Sequence, residues 1–238
     1  MRRIVVPTSG ARDWRRFLAD PETQWRRGAS ALELAVSWER AQSTERGLPV
    51  QVASALDLNT SFAGSQLLLA LPEHRVPLKG RGRASQTDLW ALLRIGNEYI
   101  SMAVEGKAGE PFGGTLNEWL IDASDGKRER LESLCETLQM AQPAAGELRY
   151  QLMHRTASAI LEAQRFGARS AVMLVQSFRV QARNDAQSWD DFGAFCASLG
   201  ATAARGQLVQ AQRTGSERLF LGWVDCPTSS DSEVASTV

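Results

Sequence analysis

Apolar residues recur along this chain at two different spacings. Between residues 22 and 46, Trp25, Leu32 and Val36 fall at helical intervals, and Leu34 and Trp38 form a neighbouring stripe. Asp20 is placed to cap this predicted helix, Pro21 suits its first position, and Gly47 is placed to stop it. Glu39 falls on the apolar stripe rather than on the solvated side. An acid there needs a charged partner or a metal.

The spacing then changes. "SQLLLALPEHRVPL" reads as a buried strand and a turn, and "KGRGRAS" as a glycine-rich basic loop. "TDLWALLRI" and "EYISMAVEGK" read as two strands joined through Gly96 and Asn97, a hairpin signal. In the second of these, Tyr99, Ser101, Ala103, Glu105 and Lys107 share one face, and Ile100, Met102 and Val104 share the other. Helical patterns follow in "GTLNEWLIDA", "GKRERLESLCETLQM" and "GELRYQLMHRTASAILEAQRF". "SAVMLVQSF" is an apolar strand, "SWDDFGAFCASLG" a helix and "RLFLGWVD" a last strand. This alternation predicts an α/β (α+β) fold with a mixed central sheet flanked by helices. It is read as a single domain over residues 1–225, with 226–238 a small, polar, disordered tail.

Composition narrows the function classes. The 238 residues carry 27 basic and 27 acidic side chains, so a nucleic-acid footprint has to be local. Cys135, Cys196 and Cys226 have neither zinc spacing nor a disulfide framework, which fits reduced thiols in the cytoplasm. No apolar run approaches the roughly 20 residues of a membrane span, so no membrane association is expected. There is no phosphate-binding loop and no nucleophile elbow.

Chemistry concentrates at the edges of the predicted hairpin. Asp88 opens its first strand, and Glu105 and Lys107 close its second. Antiparallel pairing brings those ends together. Two carboxylates and a lysine are what metal-assisted phosphodiester hydrolysis requires. The acids hold Mg²⁺ or Mn²⁺, which activates water, and the lysine orients water or steadies the phosphate. A surface acid beside an ion pair at a sheet edge accounts for the same spacing. Gly106 allows close approach of another backbone. Gln86 flanks Asp88, and Lys79, Arg81 and Arg83 run into it on a loop that could meet phosphates. Trp90 and Trp119 are candidates to line a base-binding cleft.

The arrangement "TD…EGK" between strands, after a helix carrying an acid, resembles the PD-(D/E)XK nuclease superfamily, whose restriction-endonuclease-like fold has an αβββαβ core. "SWERA", "LALPEHRVPL", "SQTDLWALLR", "ISMAVEGKAGEPFG" and "RYQLMHRTASAILEA" also resemble an uncharacterised prokaryotic family assigned to that superfamily. The resemblance implies that Asp88 and Glu105 ligate metal, with Glu39 as the helix acid, and that Lys107 is the catalytic lysine. It implies Mg²⁺ (or Mn²⁺) as cofactor, DNA ahead of RNA as partner, and a homodimer as a possible assembly. The helix after the E-x-K strand borders the site in such nucleases, which makes Gln151 and His154 candidates for substrate contact. Thr87 replaces the usual proline. The alternative is an inactive nuclease-fold module that binds nucleic acid or a protein partner.

Overall fold

A six-stranded mixed sheet runs through the computed structural model of the chain, which describes residues 2–141, 146–179 and 185–230. The strands are β1 (Gln66–Val76), β2 (Ser85–Ile95), β3 (Glu98–Lys107), β4 (Ser170–Arg179), β5 (Leu208–Gln210) and β6 (Arg218–Pro227). Their order in space is β1-β2-β3-β4-β6-β5. The first three pair antiparallel, β3, β4 and β6 pair parallel, and β5 runs antiparallel to β6. The helices are α1 (Pro21–Gln24), α2 (Ser30–Ala41), α3 (Val50–Asp57), α4 (Leu116–Trp119), α5 (Asp125–Leu138), α6 (Tyr150–Phe166) and α7 (Ala186–Ser198). The series α2-β1-β2-β3-α6-β4 thus gives the expected αβββαβ order.

The sheet is covered on both faces. On one, Leu34 and Trp38 of α2 and Val52 and Leu56 of α3 pack with Leu89, Ala91, Val104 and Val172. On the other, Leu152 and Ile160 of α6, Leu134 of α5 and Phe192 of α7 pack with Ala103, Met173, Val175 and Trp223. Central β4 is buried from Ser170 to Phe178, which explains its unbroken apolar run in sequence. The predicted hairpin forms, with Gly96 in the left-handed region (φ 54°) at the turn.

Three expectations are corrected. The helix predicted over 22–46 is two pieces, α1 and α2, because Trp25 leaves helical geometry and Gly28 takes φ 70°. Helix α2 ends at Ala41, well short of Gly47. The domain does not stop at residue 225: β6 continues to Pro227 with Cys226 buried, and Ser229 N–H donates to Glu33 Oε2 at 2.7 Å. The rest of the expected tail, 231–238, lies outside the described residues.

The loop expected over 79–85 forms up to Ala84, Ser85 already opening β2, and it is held in place. Gly80 and Gly82 take positive φ (82° and 138°), and a Cβ on Gly80 would stand 2.6 Å from Gly126 O. Glycine therefore lets the loop lie directly on the start of α5. Arg130 of α5 then donates to the carbonyls of Lys79, Gly80 and Arg83.

Candidate functional site

The β2/β3 ladder ends at the Leu89–Val104 pair, which leaves Asp88 and Glu105 side by side at its open end. Gly106 N–H donates to Asp88 Oδ2 at 3.0 Å. Lys107 follows Glu105 on the same strand face, and its Nζ donates to Glu105 Oε1 at 2.9 Å. All three predicted residues therefore face one cleft of about 510 Å³, roofed by Trp14, Thr23–Arg26 and Ala29–Ala31 from the N-terminal segment. A Cβ on Gly106 would meet Ser30 and Leu34 at ordinary contact distances of 3.4–3.6 Å. The glycine is thus not forced by close approach, and its contribution to the site is the N–H.

Helix α6 lies across β3 and supplies two more groups. Gln151 Nε2 donates to Glu105 Oε1 at 2.6 Å, and its Oε1 accepts from Lys107 Nζ at 3.1 Å. Arg155, one turn on, donates from Nε to Glu105 Oε2 at 2.6 Å and from Nη2 to Asp88 Oδ1 at 3.4 Å. Gln151, expected to contact substrate, thus sits among the acids. Arg155 was not predicted as a site residue, although its spacing of four from Gln151 places both on one helix face. Glu73 was also missed. It lines the same cleft, accepts from Gln86 Nε2 at 2.8 Å, and has φ 51°. A non-glycine residue in that region is uncommon, and nothing in a period-two strand pattern announces it.

The charges in the cleft do not balance. Four carboxylates and three cations line it; Glu110 and Arg26 lie on its walls, while Asp88, Glu105 and Glu73 act on one another around Lys107 and Arg155. Burial raises the Glu105 pKa, but the charges of Lys107 and Arg155 and their hydrogen bonds outweigh it and hold the carboxyl down at about 2. Asp88 is pushed up to about 7, by burial first and then by the charge of Glu105, against the pull of Arg155 and Lys107. Burial and Asp88 together push Glu73 up to about 8. Two of the three acids are thus short of positive charge at neutral pH.

The other predicted residues lie elsewhere. Glu39 does not reach the cleft. It accepts from Arg2 Nη2 at 2.5 Å and Trp14 Nε1 at 2.8 Å, because the apolar face of α2 turns it toward the N-terminal segment. Arg81, Arg83 and His154 line a separate cleft of about 320 Å³, and Lys79 is exposed on the same loop without lining the acid cleft. Burial and the neighbouring Arg155 lower the His154 pKa to about 3, so it is neutral, and its Nδ1 is 2.8 Å from Ser85 Oγ. Trp90 is fully buried and donates to Ser101 Oγ at 2.9 Å, so it is core rather than cleft. Trp119 does line open clefts.

Asp88 and Glu105 carry the hard oxygen donors that Mg²⁺ favours, and their excess negative charge suits a cation. Among the described residues no three His, Cys, Asp or Glu side chains are grouped as a metal-binding cluster, and Arg155 already engages one oxygen of each acid. No described helix is long and apolar enough to cross a membrane.

The family model described as domain of unknown function (DUF6946) matches residues 7–228, and the chain belongs to that family. No curated protein matches it, nor does any solved structure.

Proposed function

We propose that this member of the family is a metal-dependent nuclease that hydrolyses phosphodiester bonds of nucleic acid, DNA ahead of RNA. The observation that carries the reading is the meeting of Asp88, Glu105 and Lys107 in one cleft, with Gln151 tied to two of them. The resemblance to PD-(D/E)XK nucleases assigns these same three residues to the chemistry. Asp88 and Glu105 are the residues that would hold Mg²⁺ or Mn²⁺, with the Glu73 carboxyl in the same cleft beside them. Bound there, the ion would lower the pKa of a water and neutralise charge developing on the phosphate. Lys107 orients the attacking water or steadies the phosphate, and Gln151 fixes the lysine's position. Arg155 supplies a second positive charge at the same place. Three buried free thiols fit a reducing compartment, the cytoplasm.

The test offers purified protein single- and double-stranded DNA and RNA with Mg²⁺ or Mn²⁺. Cleavage is expected, with a loss on the order of a hundredfold or more in Lys107→Ala. Equal activity of the variant removes the proposal.

One observation favours a second reading. Arg155 bridges Glu105 and Asp88 without a metal, so the acids have a partner already. In that reading the protein is a non-cutting module that binds nucleic acid. Binding indifferent to EDTA, with no cleavage under any metal, selects it.

A further inference from the structure

A second cleft opens beside the acid site, and its chemistry is the opposite. Its walls carry four cationic side chains, Arg81, Arg83, Lys127 and Arg130, and no carboxylate. In a protein whose charges cancel overall, this is a local excess that focuses positive potential. Two of the four are committed to structure. Arg130 pins the loop carbonyls, and Lys127 Nζ donates to Trp119 O at 2.7 Å. Arg81 and Arg83 are exposed, and their side chains have no partner among the described residues. The loop that bears them is nonetheless fixed, through Gly80, Gly82 and Arg130. Two unpaired arginines on a pinned backbone are pre-organised for an anion.

The basic cleft and the acid site are both neighbours of one further cleft. A third cleft, of about 520 Å³, shares Lys107 and Gln151 with the acid cleft and Trp119, Tyr150 and His154 with the basic one. At the junction Trp119 and Tyr150 stack with ring centroids 4.1 Å apart and an interplanar angle of 11°. The stacked pair lines both the basic cleft and the one that borders Lys107.

We infer that the basic cleft holds the backbone of a single nucleic-acid strand leading away from the acid site, which makes single-stranded or frayed ends the substrate class. This rests on the nuclease reading for what happens at Lys107, but not for the binding itself. Phosphates, spaced along a strand, match Arg81 and Arg83, and bases or sugars match the stacked pair. At about 320 Å³ the basic cleft is at the lower end of ligand-sized pockets, roughly 300–1,000 Å³. It has room for about one nucleotide.

The experiment is fluorescence anisotropy of the full chain in EDTA, with a labelled oligodeoxythymidylate and with a blunt duplex. Single-strand binding is expected to be tighter than duplex binding and to weaken steeply with salt. The double variant R81A/R83A is expected to lose about tenfold in affinity, with the salt slope smaller by about 1.4, from two lost contacts at about 0.7 each. Both side chains are exposed, so folding is not at risk, and circular dichroism checks it. Unchanged affinity and slope in the variant overturn the inference, as does equal or tighter binding of the duplex. Competition by polyglutamate as strong as by unlabelled oligonucleotide also overturns it, since the cleft would then be a general anion site. Strand binding that depends on these arginines, without cleavage under Mg²⁺, leaves the inference standing and sinks the nuclease reading. Cleavage that is indifferent to R81A/R83A does the reverse.

Discussion

Two buried glutamates in this molecule meet opposite fates. Glu39 sits in a corner with Arg2 and the indole of Trp14, and among the described residues no second acid shares that contact. Glu105 sits with Lys107, Arg155 and Gln151, and with Asp88, which burial first and then the charge of Glu105 push up to about 7. The first is a closed account: one acid, one cation, one further donor. The second is open, because its cations hold Glu105 ionised while leaving Asp88 and Glu73 under-compensated. Burial alone therefore does not mark a site. Burial joined to crowding of like charges against too few opposite ones does.

This contrast can be broken most directly at Arg155. Arg155→Met removes the cation shared by Glu105 and Asp88 and leaves buried negative charge, which is expected to cost about 3–5 kcal/mol of stability in urea unfolding. Added Mg²⁺ should restore more of the melting temperature in this variant than in the parent. An unchanged unfolding midpoint would show that the two acids do not depend on Arg155. Next in size is Glu39→Gln, expected to cost about 1–3 kcal/mol through loss of a charged hydrogen-bond pair, with cleavage per folded molecule unchanged. Loss of cleavage in a well-folded Glu39→Gln protein would erase the distinction between the two corners.

The last contrast concerns pH. The Asp88 carboxyl is raised from its ordinary 3.8 to about 7, so the folded state keeps a proton that the unfolded chain releases. Stability is accordingly expected to fall as pH rises from about 4 to about 7, by at most roughly 1.4 kcal/mol per pH unit. Glu73, raised to about 8, extends the decline. Asp88→Asn should flatten this slope, which melting curves at pH 5 and pH 8 will show. Mg²⁺ should stabilise the parent more at pH 8 than at pH 5, because ligation needs Asp88 ionised. Equal slopes in parent and variant would mean that Asp88 keeps an ordinary carboxyl.

Much of the site was legible because the hairpin is local. Period-two alternation put Glu105 and Lys107 on one face, and the Gly96–Asn97 turn brought Asp88 back beside them. Helical spacing paired Gln151 with Arg155, which made the second visible in principle. Glu39 and Glu73 were not legible in the same way. The apolar stripe of α2 showed that Glu39 is enclosed but not by what. The left-handed turn at Glu73 breaks the alternation that would have revealed its direction.

The chain's own pattern thus determined its strands, most of its helices, the hairpin and the face that Glu105 and Lys107 share. Each of these follows from hydrogen bonds and side-chain directions set within a few residues. Only the tertiary structure decided which acid joined the pair, that Glu73 and not Glu39 came near, that Arg155 lies between the acids, and that the basic loop faces its own cleft. Those outcomes depend on how α2 and α6 settle on opposite faces of the sheet. Contacts between segments distant in sequence set that packing, and no local spacing encodes them.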